Sequence, residues 1–208
     1  MLEAIDLECV RGERTLFSGL GFTLRGGELL RVAGANGSGK TSLLRIACGL
    51  HAPERGVVRW HGGDIRSLRE EYWQRLVYIG HASAVKDDLT AAENLTISCA
   101  VAGFRVNAGQ THAALERLGL SGCESLPARV LSQGQRRRVV LARLALSGAA
   151  PLWVLDEPFT ALDAEAVACV EALILQQLAR GAAVLLTTHQ DQLAAAVTLR
   201  IDLNSGAA

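Results

Sequence analysis

One short stretch limits the possible folds more than anything else in the chain. Gly34, Ala35, Asn36, Gly37, Ser38, Gly39, Lys40 and Thr41 run consecutively and fit the pattern G-x-x-x-x-G-K-[ST] without a mismatch. An apolar segment of strand length, Leu29-Leu-Arg-Val-Ala33, enters this loop, and a segment of helical pattern, Thr41–Leu50, leaves it. Gly37 and Gly39 let the backbone turn its N–H groups inward around phosphate oxygens, where a Cβ would obstruct the approach. The helix N-terminus adds partial positive charge at the same place. Lys40 is expected to reach the β and γ phosphates of a nucleotide, and the Thr41 hydroxyl to hold Mg²⁺.

The remaining pattern agrees with an α/β core, because apolar runs of strand length alternate with longer helical segments. Leu2–Val10 and Leu20–Leu24 read as strands joined by a turn-rich Arg11–Ser18, and Glu28–Ala33 as the strand before the loop. Lys40–Leu50 is the helix that follows, with Gly56–Trp60 and Leu76–Ile79 as further strands. From Asp87 to Leu120 the pattern is helical, with no clear strand. Gln133–Ser147 and Ala164–Ala179 are expected helices; Leu152–Leu155, Ala183–Thr187 and Leu199–Leu203 are expected strands. No internal repeat or interdomain linker is visible, so residues 1–208 read as one domain with a helical lobe inserted at roughly 85–148.

A second motif carries carboxylates. Pro151-Leu-Trp-Val-Leu-Asp156-Glu157-Pro158 is an apolar strand ending in two adjacent acids, at the end of the strand where open α/β sheets bind ligands. Asp156 suits Mg²⁺, directly or through water, and Glu157 is placed to orient or deprotonate an attacking water. A third motif, Leu131-Ser132-Gln133-Gly134-Gln135, opens the helix Gln133–Ser147. Ser132 sits at the N-cap position, which gives a capped helix and also a ready anion site.

With these three motifs the chain resembles the nucleotide-binding subunits of ABC transporters over essentially its whole length. The resemblance implies a P-loop NTPase core of the ABC type, with an N-terminal antiparallel β lobe and a helical lobe. It also implies ATP hydrolysis with Mg²⁺, and a second copy of the chain whose Ser132 and Gly134 cover the nucleotide in trans. Ala161-Leu162-Asp163 resembles the family's D-loop, and His189 matches the switch histidine that contacts the γ-phosphate. Two positions depart from the family. His81, in Val77-Tyr-Ile-Gly-His81, stands where a glutamine is usual and is shorter and titratable. Cys9-Val-Arg11-Gly12 lacks the aromatic residue that usually stacks on adenine, leaving Arg11 as the candidate.

The segments around Glu13–Leu20, Tyr78–His81, Leu131–Arg138 and Leu155–Ala161 look more narrowly like the haem-exporter ATP-binding subunits of bacterial cytochrome c biogenesis. That likeness implies polytopic inner-membrane permease subunits as partners. It also implies a peripheral location on the cytoplasmic face of the bacterial inner membrane, and a role in haem export or release of haem from its periplasmic chaperone. No apolar stretch in the sequence approaches the roughly 20 residues needed to span a bilayer, and no secretory leader is expected.

Composition limits the alternatives. Lys plus Arg equals Asp plus Glu at 21 each, so no global basic field points to nucleic acid. Arg136-Arg-Arg138 reads as a solvated helix start with one arginine paired inside. The five cysteines are scattered and form no metal spacing, which suits buried, reduced thiols in a cytoplasm. A soluble ABC ATPase acting on nucleic acid or ribosomes, an ABC ATPase for a different cargo, and a nucleotide switch without turnover remain the alternative readings. Glu157 and His189 speak against the last.

Overall fold

The computed structural model of the chain describes residues 1–189 and 193–203. The elements run β1 (Leu2–Arg11), β2 (Arg14–Leu24), β3 (Leu29–Ala33), α1 (Lys40–Ala47), β4 (Arg55–Trp60), β5 (Gly63–Asp64) and α2 (Ile65–Trp73). They continue with β6 (Leu76–Ile79), α3 (Ala91–Val101), α4 (Ala108–Arg117), α5 (Gln133–Leu146), β7 (Leu152–Asp156), α6 (Ala164–Ala179), β8 (Ala183–Thr187) and β9 (Leu199–Asp202). The chain divides into two compact units. The first comprises Met1–Tyr78, Ala150–Glu157 and Gln177–Ala208, the second Ile79–Ala149 and Pro158–Gln176.

The first unit holds two sheets. In one the order is β2-β1-β4-β5 with antiparallel pairing; in the other it is β6-β7-β8-β3-β9, with β3, β7, β8 and β9 paired in parallel. Every residue of β7 and of β8 is buried, which is why both read as unbroken apolar runs rather than alternating ones. Leu2, Leu7 and Leu24 from the antiparallel sheet join Leu30, Val32, Leu43, Val154 and Leu185 in one core.

The first hairpin corrects the expected turn-rich Arg11–Ser18. β2 begins at Arg14, and Val10 pairs with Thr15 and Cys9 with Phe17. Gly12, at φ 62, reverses the chain tightly, so the turn is confined to Gly12 and Glu13, and the strand-forming Thr15 and Phe17 take their places in the ladder beside β1. β1 bulges at Asp6, a non-glycine residue at φ 49, where the register shifts against both neighbours. β5 and α2 were not foreseen. α2 is short and polar, and it starts because Asp64 accepts the Arg66 backbone N–H at 2.8 Å.

In the second unit α3, α4 and α5 pack pairwise on one another. The expected helical region from Asp87 to Leu120 resolves into α3 and α4. Each opens on a capping box, Thr90 with Glu93 and Asn107 with Gln110. Buried Asn94 ties down the segment before α3: its side chain accepts from Lys86 N–H and donates to the carbonyls of Lys86, Leu89 and Thr90. One arginine of the run is buried as expected, but the other two are partly covered and paired with acids rather than solvated. Arg136 pairs with Asp87 at 2.6 Å, Arg138 with Asp163 at 2.6 Å, and Arg137 is buried. The five cysteines are thiols, three of them buried.

The bulge in β1 makes a glycine indispensable on the next strand. A Cβ at Gly56 would overlap the carbonyl oxygens of Ile5 and Asp6, and φ there is +86. Gly12 has a similar φ of +62 but faces open space. Gly56→Ala is therefore expected to cost more than about 3 kcal/mol, because backbone cannot move aside cheaply. Gly12→Ala should cost only the left-handed strain of ~1 kcal/mol. Urea unfolding of the two variants against wild type measures the difference, and equal losses would contradict this account of the bulge.

Candidate functional site

The buried strand β3 delivers the chain into the phosphate-type loop, and α1 carries it away. Gly34 has φ 148, and a Cβ there would lie 2.5 Å from Ser38 Oγ, so the first glycine makes room for the serine. Ser38 Oγ is buried and meets no hydrogen-bond partner among the described residues. At Gly37 a side chain would face open space, whereas Gly39, at φ 102, would place a Cβ 3.1 Å from Leu16 and 3.2 Å from the Phe17 ring. The last glycine is thus required by packing against β2 from behind, as well as by its backbone conformation. Gly39 is the N-cap of α1 and offers no side-chain hydrogen bond, and the first turn carries no acid. The N–H groups and positive end of the helix are left to the loop. Lys40 is nearly buried and donates to Gly34 O at 2.7 Å and Ala35 O at 3.1 Å, which holds its charge over the loop.

The carboxylates meet this loop. Asp156, 1% exposed, accepts from Thr41 Oγ1 at 2.8 Å through one oxygen and from Thr187 Oγ1 at 2.7 Å through the other. The Thr187 hydroxyl in turn accepts the Glu157 backbone N–H at 2.9 Å. Glu157 has φ 49, an unusual value for a side chain of its size, and this left-handed turn ends β7. Its Oε1 lies 3.4 Å from His189 Nε2. Thr41, Asp156, Glu157 and His189 are therefore one connected group beside the loop. Burial, with the Asp156 charge nearby, pushes the Cys48 thiol far above its ordinary range, and burial raises the Tyr78 hydroxyl as well. Both stay protonated around the carboxylate. Thr187 is the residue that the sequence reading passed over. The sequence offered only a polar residue at the end of an otherwise apolar strand; its register opposite Asp156 is visible only in the structure.

The remaining candidates lie in the second unit. Ser132 caps α5 through a capping box: its hydroxyl accepts the Gln135 N–H at 3.1 Å, and the Gln135 side chain accepts the Ser132 N–H at 2.8 Å. Ser132 and Gln133 are exposed at the helix start. A Cβ at Gly134 would lie 2.9 Å from Ala161 O, so this glycine lets the helix abut the 161–163 segment. Ala161 has φ 63, and Asp163 caps α6 by accepting the Ala166 N–H at 2.9 Å. The His81 side chain is exposed, and its loop is held through backbone: Arg137 donates to Gly80 O at 2.7 Å and His81 O at 3.5 Å. In the first unit Arg11 is exposed at the end of β1, while Cys9 is buried.

A hard cation asks for oxygen ligands, and Thr41 with Asp156 supplies two on a fixed geometry. Among the described residues no group of three or more His, Cys, Asp or Glu side chains forms a metal cage. The residues present fit Mg²⁺ of the sort completed by phosphate oxygens and water. Among the described residues no helix is long and apolar enough to cross a membrane.

Residues 17–160 match the ABC transporter family model. The chain is 54% identical to the cytochrome c biogenesis ATP-binding export protein CcmA of Nitrosospira multiformis, covering 97% of this chain and 98% of that protein. It is 53% identical to the protein of that name from Aromatoleum aromaticum, with 100% and 97% covered. Its identity to the Vibrio cholerae protein of that name is 47%, with 93% of each covered. Among solved structures, an ATP-binding subunit of an ABC transporter superposes with a TM-score of 0.85 at 25% identity, covering 97% of this chain and 85% of that one. A dimeric ATP-binding cassette in a post-hydrolysis state with ADP and Pi shares the fold, with a TM-score of 0.83 at 22% identity over 97% of this chain and 94% of that one. The chain belongs to the ABC transporter family, as an ATP-binding ATPase subunit of the cytochrome c biogenesis export type.

Proposed function

We propose that the chain powers a membrane complex of bacterial cytochrome c biogenesis, hydrolysing ATP with Mg²⁺ to drive haem export or the release of haem from its periplasmic chaperone. The observation that carries the hydrolytic part is the connected group Thr41, Asp156, Glu157 and His189 beside the loop 34–41. The names of the relatives support the pathway. On this reading residues 1–208 work as one ABC ATPase domain with the helical lobe inserted in its core. The chain acts peripherally, at the cytoplasmic face of the inner membrane, against polytopic permease subunits.

The loop amides from Gly34 to Gly39 and the N-terminus of α1 hold phosphate oxygens, and Lys40 neutralises the β and γ phosphates. Thr41 and Asp156 would hold Mg²⁺, directly or through water, and the ion would supply positive charge against the phosphate oxygens. Glu157 orients the attacking water or takes its proton. His189, whose Nε2 stands 3.4 Å from that carboxylate, reaches the γ-phosphate. His81 serves coupling to the membrane partner more than chemistry, and its loop is anchored within the second unit by the Arg137 bonds to the Gly80 and His81 carbonyls. The exposed start of α5 suits an ATP sandwich in which Ser132 and Gly134 of a second copy cover the nucleotide. A nucleic-acid role is disfavoured, because Arg136 and Arg138 are paired with acids and Arg137 is buried.

Two measurements test this. Lys40→Ala is expected to abolish ATP hydrolysis, since it removes the charge that stabilises the transition state; near-normal turnover would sink the reading of the loop. Glu157→Gln should bind ATP without spending it, running as a dimer in ATP and Mg²⁺ and as a monomer in ADP on size exclusion with light scattering.

A mixed dimer of Lys40→Ala and Ser132→Arg chains tests sharing in trans. One composite site then has both lesions and the other has neither. Activity of about one intact site per mixed dimer is expected. A mixture as inactive as either parent would contradict the simple form of the shared site.

A further inference from the structure

Thr187 ends β8 and is fully buried. A hydroxyl has one hydrogen to give and lone pairs to receive, and this one is engaged in both senses. It donates to Asp156 Oδ1 at 2.7 Å and accepts the N–H of Glu157 at 2.9 Å. The parallel register, with Asp156 opposite Thr187, brings the side chain there. We infer that Thr187 is a positioning residue for hydrolysis, whose single hydroxyl fixes both Asp156 and Glu157.

The inference rests on the proposed reading of Thr41, Asp156 and Glu157 as the hydrolytic group. Asp156 is gripped from two sides, Thr41 at one oxygen and Thr187 at the other, which fixes the rotation of the carboxylate about its last bond. Glu157 stands at φ 49, where a side chain of its size is uncommon, and the bond from its N–H to Thr187 holds that turn. Losing the hydroxyl loosens the carboxylate that faces Thr41 and the one that faces His189 together. Ground-state nucleotide contacts from the loop 34–41 are left in place. The effect therefore falls on kcat and not on KM.

The test compares Thr187→Ser with Thr187→Ala in the full chain, since the two differ by one oxygen. Three quantities are read: ATP hydrolysis, binding of a fluorescent ATP analogue, and hydrogen exchange of the Glu157 amide. Thr187→Ser should stay within about threefold of wild type in kcat, while Thr187→Ala loses about thirtyfold with KM and analogue affinity within about threefold. The Glu157 amide should exchange about tenfold faster in Thr187→Ala, and at the wild-type rate in Thr187→Ser. Should Thr187→Ala fail to fold, Thr187→Cys takes its place, since a thiol has nearly the shape of the serine side chain and is a poor donor. Equal turnover in the serine variant and its partner, or a loss shared equally by kcat and KM, overturns the inference. So does an exchange rate indifferent to the oxygen. A wild-type chain that hydrolyses no ATP while the Glu157 amide still responds to the missing oxygen would tell against the ATPase reading, and not against the placement.

Discussion

A carboxylate almost completely removed from water at the end of β7 has to be held by hydrogen bonds, because a buried charge without partners is among the most expensive features a protein can contain. Asp156 obtains them from two hydroxyls on separate elements, Thr41 on α1 and Thr187 on β8. That requirement organises the neighbourhood. It needs β8 beside β7 in the register that places Thr187 opposite Asp156, and it needs α1 to begin within reach of the same carboxylate. β3 lies on the other side of β8 and launches the loop that ends in α1, so the strand order and the carboxylate's partners imply each other.

The second unit solves a comparable accounting problem with helix starts. α3, α4 and α5 each open on a reciprocal pair in which the N-cap and the third residue satisfy each other's backbone. At α5 the arrangement also leaves Ser132 and Gln133 facing solvent at the positive end of a helix. Arg137, one turn further on, spends its charge on the carbonyls of Gly80 and His81. The helix that presents Ser132 and the loop that presents His81 are thereby tied through backbone.

Much of this was legible because it depends on local pattern. The loop 34–41 announces itself by spacing, the strands β7 and β8 by unbroken apolar runs, and the start of α5 by Ser132 at its N-cap position. Where the reading failed, the missing information lay elsewhere in the chain. Arg14–Ser18 is a short mixed stretch between Gly12 and Gly19 whose strand character shows only once β1 supplies hydrogen bonds, and α2 is too short and polar for periodicity to reveal it. Thr187 escaped notice for a similar reason. A threonine in a strand is unremarked until the neighbouring strand shows what its hydroxyl touches. Gly39 was read for its backbone freedom, whereas the structure adds a steric demand from Leu16 and Phe17.

That demand bears on how freely the parts of such a chain could be exchanged. The ring of Phe17 sits on the antiparallel sheet, yet it presses on the residue where the loop becomes a helix. The sheet thus leaves no room for a side chain where the loop becomes a helix. A β lobe that kept the bulk of Leu16 and Phe17 would confine position 39 to glycine, whereas smaller residues there would lift the steric half of the demand and leave only the backbone half, the positive φ.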